Sequence, residues 1–276
     1  MSVLKTRIIL GTAMLVAFCG IIYIDYAFNS DIGIGILGTL AGAICLFEFY
    51  NIVEKKGFAP FKVSGIIGGI IVFLGLWFST YEEGLKTIYS CILFPIVFWL
   101  FFVQALKRGI EDTIKNISVT VFGIIYICFF LSFIMLIRHM PNGLSVILIV
   151  LLLTKGGDIG GYLFGRKFGR HKFSSFSPNK TIEGASFALF CSLMIAIGLN
   201  ALPGMRVLPF YLIVPFGLLV GASGIIGDLI ESIIKRDMAV KDSSSAIPAF
   251  GGLLDILDSL LISIPVAYFF LIIVKY

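Results

Sequence analysis

Apolar residues fill this chain in long blocks, and polar residues collect in the short segments between them. The blocks run near 8–28, 32–52, 64–80, 87–106, 117–137, 143–163, 183–202, 209–235 and 252–274. Each approaches the roughly 20 residues a helix needs to cross the hydrocarbon core of a bilayer. Helices that are apolar all round belong in lipid or in a large core. Nine of them predict an all-α, polytopic integral membrane protein. The least regular blocks are the third, which is weakly polar, and the eighth, which contains Pro215.

Composition agrees. Of 276 residues, 59% are hydrophobic and only 13% are charged, against about 25% charged in soluble domains. This excludes a water-soluble globule, a disordered chain and a nucleic-acid binder. Nine helices use about 180 residues, which leaves no room for a sizeable soluble domain. The expected organisation is a set of N-terminal helical hairpins over 1–110 and a domain over 111–276 that carries the polar chemistry. Cys19, Cys45, Cys91, Cys128 and Cys191 each lie inside an apolar block without a CxxC pair, so they read as packing residues rather than disulfides or zinc ligands. The first block follows Lys5 and Arg7 and has no small-residue cleavage pattern. It reads as a retained helix rather than a signal peptide.

Charge sets the expected orientation. Sixteen of the 21 Lys and Arg fall in the N-terminus and the even-numbered loops, four fall on the opposite side, and Lys155 lies inside a span. By the positive-inside rule the N-terminus is cytoplasmic and the C-terminus outside. Glycines recur every fourth residue at Gly157, Gly161, Gly165 and Gly169, and at Gly65/Gly69 and Gly217/Gly221, a spacing that predicts close helix packing.

Acids inside membrane spans are costly and need a reason. The candidates are Glu48, Asp158, Glu183, Asp228, Glu231, Asp255 and Asp258. At a rise of about 1.5 Å per residue, Glu48, Asp158 and Asp228 lie roughly 24, 22 and 28 Å from the outer ends of their spans. Glu183 and Asp255 open spans that begin on the inner side. All converge on the cytoplasmic edge, at the level of the basic sixth and eighth loops. Acids and cations at one interface suggest a metal-and-phosphate site, set against ordinary interface solvation with attraction to anionic lipid. On a helix Asp228, Glu231, Ser232 and Lys235 share a face, and Asp255 and Asp258 are one turn apart on the next. Hard carboxylate oxygens without nearby His or Cys favour Mg²⁺ over zinc. Lys235, Arg236 and Lys241 are placed to neutralise phosphates.

This stretch resembles the signature of the phosphatidate cytidylyltransferases (CDP-diacylglycerol synthases), S-x-x-K-R-x4-K-D followed by P-G-H-G-G-x-x-D-R-x-D. Ser232, Lys235, Arg236, Lys241, Asp242, Pro248, Gly251, Gly252, Asp255 and Asp258 match, whereas Ala249, Phe250 and Ile256 depart from Gly, His and Arg. A second segment, 158–184, resembles the same family's D-x-x-A-Y-x-x-G-R-x-F-G-K-H-K and S-P-x-K-T-x-E-G patterns. It matches at Asp158, Tyr162, Gly165, Arg166, Gly169, His171, Lys172, Ser177, Pro178, Lys180, Thr181, Glu183 and Gly184. Thr181 also suits a helix N-cap, and Lys155 suits a local partner for Asp158. The resemblance covers roughly 140–270.

The resemblance implies transfer of CMP from CTP to phosphatidic acid, giving CDP-diacylglycerol and pyrophosphate. It further implies Mg²⁺ as cofactor, with room for a second cation, and a homodimer, while a short chain with no extra domain suits a bacterial inner membrane. Under it, Asp228 and Asp255 lead as metal ligands, supported by Asp258 and Glu231. Ser232, Glu231, Lys235, Arg236, Lys241 and Asp242 form the catalytic set. Asp158, Arg166, Lys172, Ser177, Lys180, Thr181 and Glu183 bind substrate, and Glu48 is a further candidate to line the site. Two alternatives stay open: a CTP-dependent polyprenol or phytol kinase, and an ion-coupled transporter.

Overall fold

A computed structural model describes residues 3–174, 177 and 180–275. Pro178 and the side chains of Lys5 and Arg7 lie outside the described residues. The helices are α1 (Val3–Ala27), α2 (Ile32–Glu54), α3 (Lys62–Ser79), α4 (Glu83–Ser90), α5 (Leu93–Lys107), α6 (Thr113–Gly123), α7 (Phe130–Arg138), α8 (Gly143–Phe168), α9 (Ile182–Asn200), α10 (Phe210–Asp237) and α11 (Leu254–Ile273). A π-helical segment, Ile124–Phe129, joins α6 to α7. The described residues hold no strand, only isolated bridges between Lys172 and Thr181 and between Ile247 and Gly251.

Nine helical stretches among the described residues are long and apolar enough to cross a membrane. Phe47, Ile67, Phe94, Phe98 and Phe190 are all more than half exposed, which suits side chains facing lipid rather than water. The chain is an all-α integral membrane protein. The nine expected blocks correspond to these stretches with one difference inside the fourth. There α4 ends at Ser90 and α5 begins at Leu93. Pro95 accounts for the break, because its ring clashes with the carbonyl four residues back, that of Cys91. Pro215, in contrast, lies within α10.

Contacts divide the chain into two compact units, Met1–Leu136 with Met238–Ile256, and Ile137–Asp237 with Leu257–Tyr276. The 1–110 hairpins fall wholly in the first. Its core gathers Phe61, Val72, Ile96, Leu100, Val103, Ile117 and Ile124. Buried polar groups there are satisfied across helices. Tyr50 Oη donates to the Thr120 carbonyl at 2.8 Å, and Thr120 Oγ1 accepts from the Phe61 N–H at 3.0 Å. Asp25 accepts from the N–H groups of Gly33 and Ile34 at the start of α2, at 2.9 and 2.8 Å. In the second unit the glycine stripe of α8 faces α9, as its spacing predicts. A Cβ on Gly161 would lie 2.7 Å from the Ala188 Cβ, and one on Gly165 only 3.2 Å from the Gly184 Cα. Gly221 of α10 meets α9 likewise, with a Cβ there 2.7 Å from the Ser192 Cβ. Small residues thus let three backbones approach closely.

Candidate active site

Three carboxylates meet in the second unit. Asp228 and Glu231 lie one turn apart on α10 and Asp258 lies on α11. Each offers an oxygen, and these oxygens lie within 4.8 Å of one another. Glu231 is 1% exposed and Asp258 6% exposed. Gly227 lets α11 come this close, since a Cβ there would stand 2.6 Å from the Asp258 carbonyl oxygen.

Lysines from three directions hold the cluster. Lys180, just before α9, places Nζ 2.5 Å from Asp228 Oδ2. Lys235, one turn along α10, pairs with Glu231. Lys155 of α8 lies 3.6 Å from both Asp158 Oδ2 and Asp258 Oδ1 and donates to Ser259 Oγ at 2.6 Å. Ser259 donates in turn from Oγ to Asp158 Oδ2 at 3.3 Å and from its N–H to Asp258 Oδ1 at 2.5 Å. Lys155 therefore does more than the local pairing its sequence position suggests. It joins an acid on its own helix to one more than a hundred residues away.

The segment that delivers Lys180 is itself fixed. His171 Nδ1 is 2.6 Å from Glu183 Oε1, and the Arg170 N–H donates to Glu183 Oε2 at 3.1 Å. The Phe173 N–H donates to the Lys180 carbonyl at 2.8 Å, and the Ile182 N–H to the His171 carbonyl at 3.0 Å. Thr181 caps α9, accepting from the Gly184 N–H at 3.1 Å. Glu183 and Thr181 thus organise backbone. Arg166, in the last turn of α8, and Lys172, on this segment, are exposed cations, and Ser177, half-buried, donates its N–H to Ser174 Oγ at 3.1 Å. On α10, Ser232 is half-buried and Arg236 is exposed.

A second set of acids has different company, all within the first unit. Glu48 of α2, 4% exposed, takes four hydrogen bonds from residues 243–254, up to the first residue of α11. They come from Ser243 Oγ (3.2 Å), Ser244 Oγ (2.9 Å), the Leu253 N–H (3.0 Å) and the Leu254 N–H (2.9 Å). Asp255 Oδ2 accepts from the Ser243 N–H and Oγ, both at 2.8 Å, and from the Gly252 N–H at 2.7 Å. Asp255 and Asp258 thus sit one turn apart on α11 with different partners. Gly251 has φ +102°, a conformation suited to glycine. Ala249 has φ +69°, which accounts for Gly in the resembled pattern at this position. Phe250 is half-buried, its Cζ 3.4 Å from where a Cβ on Gly11 of α1 would stand. Lys241 and Asp242 are exposed in the same segment.

The structure thus gathers Asp228, Glu231 and Asp258, with Asp158, Lys155, Lys180 and Lys235 around them. Three carboxylates without a dication repel one another. Hard oxygen donors, two of them buried, fit a divalent cation such as Mg²⁺. Sequence reasoning had no signal for Ser259, Ser243 or Ser244 as partners of these acids.

The sequence matches the cytidylyltransferase family over residues 5–274. The phosphatidate cytidylyltransferase of Chlamydia pneumoniae is 30% identical over 285 residues, covering 98% of this chain and 92% of that protein. That of Bacillus subtilis is 27% identical over 274 residues, covering 97% of each chain. That of Staphylococcus aureus is 27% identical over 257 residues, covering 91% of this chain and 95% of that protein.

Proposed function

Since the chain belongs to the cytidylyltransferase family, we propose that it transfers the cytidylyl group of CTP to phosphatidate, forming CDP-diacylglycerol and pyrophosphate. The observation that carries this reading is the group of three carboxylates within 4.8 Å, ringed by Lys155, Lys180 and Lys235.

Phosphatidate and CTP are both anions at neutral pH. A phosphatidate oxygen forms a bond to the α-phosphorus of CTP as the bond to the β-phosphate oxygen breaks, and pyrophosphate leaves with that electron pair. The nucleophile is already charged, so the reaction needs no strong general base, and the family's His is dispensable at Phe250. Repulsion between the anions is the obstacle. Asp228, Glu231 and Asp258 would hold Mg²⁺, which would supply positive charge against the phosphoryl oxygens. Lys180 and Lys235, now paired with Asp228 and Glu231, exchange those partners for phosphate oxygens when substrate enters. Exposed Arg166, Lys172 and Arg236 draw the triphosphate in. Lys155 and Ser259 hold Asp158 and Asp258 in place. Asp255 and Glu48 shape the segment 243–254, which Asp242 directly precedes.

The site is assigned to the cytoplasmic side, on the distribution of Lys and Arg among the loops. A homodimer is assigned from the family resemblance, and a bacterial inner membrane from the bacterial relatives. Purified protein in detergent, given phosphatidate, Mg²⁺ and CTP labelled in the cytosine ring, tests the reaction. Label entering the lipid phase with equal pyrophosphate release supports it. Release of CDP without lipid-borne cytidine replaces it with a kinase.

A further inference from the structure

A cleft of about 290 Å³ opens in the first unit, lined by the end of α2, the start of α3 and the end of α5. Its charged residues are Glu54, Lys62, Lys107 and Arg108, so three cations face one acid. Two of the cations are held in place. Lys62 Nζ lies 2.6 Å from Glu54 Oε2 and donates to Asn51 Oδ1 at 2.6 Å. The Arg108 guanidinium donates to the Ala59 carbonyl and lies 4.4 Å from the centroid of the Phe61 ring. Lys107 is exposed, and its ammonium makes no hydrogen bond or ion pair with a described residue. The turn that follows it is pinned by buried Gln104, whose Nε2 donates to the carbonyls of Gly109 and Glu111 at 3.1 and 2.8 Å. Most of the five guanidinium N–H donors and all three of the Lys107 ammonium thus remain for a ligand.

A second cavity, about 280 Å³, shares Ser64 with the first. From Ser64 it follows Ile67, Gly68 and Ile71 on α3, and Ile92, Ile96 and Trp99 on the facing side. Both series keep the i, i+3, i+4, i+7 spacing of one helix face, with Pro95 completing the second. Beyond Ser64 every lining residue is Ile, Gly, Pro or Trp. It extends about 10 Å down the span at the rise of an α-helix. A free anion would use only the basic cleft, and a neutral lipid only the apolar groove. The junction at Ser64 suits a molecule with both parts.

We propose that this compound site binds an anionic phospholipid, with its phosphate at Lys107 and Arg108 and an acyl chain between α3 and α5. None of these residues belongs to the acid cluster or its lysines. The site is therefore a separate binding function and does not rest on the catalytic reading.

Trp99 reports on the groove. The chain has two tryptophans, and the other, Trp77, is buried and donates from Nε1 to Asp31 Oδ2 at 2.7 Å. The full chain is reconstituted in phosphatidylcholine vesicles containing phosphatidylglycerol, with brominated chains first on one lipid and then on the other. Quenching, corrected with the Trp99→Phe variant, reads which lipid lies beside Trp99. Phosphatidylglycerol is expected there at roughly 25-fold its mole-fraction share, from two basic side chains at the membrane surface. Lys107→Gln changes an exposed, unpaired side chain and is expected to lower that preference roughly fivefold without disturbing the fold. Adding Arg108→Gln returns quenching to the mole fraction. Quenching that tracks mole fraction in the unaltered protein overturns the proposal, as does a preference that survives both substitutions. Loss of the preference on adding millimolar inorganic phosphate would also overturn it, in favour of a free-anion site.

Discussion

Glu48 and Asp258 are both buried carboxylates on membrane-spanning helices, 4% and 6% exposed. Glu48 accepts four hydrogen bonds, two from backbone N–H groups at the start of α11 and two from serines. Its charge is answered by fixed dipoles, as at a helix N-terminus. Asp258 accepts one N–H from the next residue and stands among Asp228, Glu231 and Asp158, answered by lysines. The first arrangement is complete within the protein. The second keeps several negative charges together, and that suits a cation arriving with substrate. Burial alone does not separate a structural acid from a chemical one; the kind of partner does.

Removing one charge from each set separates the two kinds of acid. Asp258→Asn is expected to lower turnover by at least about a hundredfold, the scale of losing one electrostatic contribution to a transition state. Its melting temperature should hold or rise, because repulsion within the cluster is relieved. Turnover and a thermal melt on the same sample check both halves. Glu48→Ala should do the reverse. Leaving four donors unpaired around a lost buried charge is expected to cost about 3–5 kcal/mol of stability. Residues 243–253 should become accessible to protease.

Asp255→Asn sharpens the contrast within one helix. Its Oδ2 serves as a hydrogen-bond acceptor, and the Asn carbonyl retains that role. Stability should fall by about 1 kcal/mol, and turnover should stay within a fewfold of the unaltered enzyme. A loss matching that of Asp258→Asn would move Asp255 into the metal set. The smallest effect is expected at Ala249, whose φ of +69° is costly for a side chain. Ala249→Gly should stabilise the fold by about 0.5–1 kcal/mol in a denaturant or thermal series, with strain relief partly offset by the freer unfolded chain.

The spans were legible because their apolar blocks are long, and the α8–α9 packing was legible because glycines repeat at helical spacing. Asp228 and Glu231 were legible as a pair for the same local reason. The break in the fourth span had a visible cause in Pro95, yet a uniformly apolar block masked it. Periodicity has no purchase on partners far apart in the chain. Glu48 meets Leu254 across 206 positions and Lys155 meets Ser259 across 104, and packing alone decides such pairs. The i, i+3 spacing of Asp255 and Asp258 put them on one helix face. It could not reveal that one takes hydrogen bonds from a loop while the other joins a carboxylate cluster.

The most direct test of this division uses Mn²⁺ as a paramagnetic stand-in for Mg²⁺, with bound ion measured by electron paramagnetic resonance on the purified protein. The unaltered chain and Asp255→Asn are expected to bind Mn²⁺ alike, while Asp258→Asn shows no bound signal at the same free concentration. Binding retained in Asp258→Asn but lost in Asp255→Asn would contradict the account.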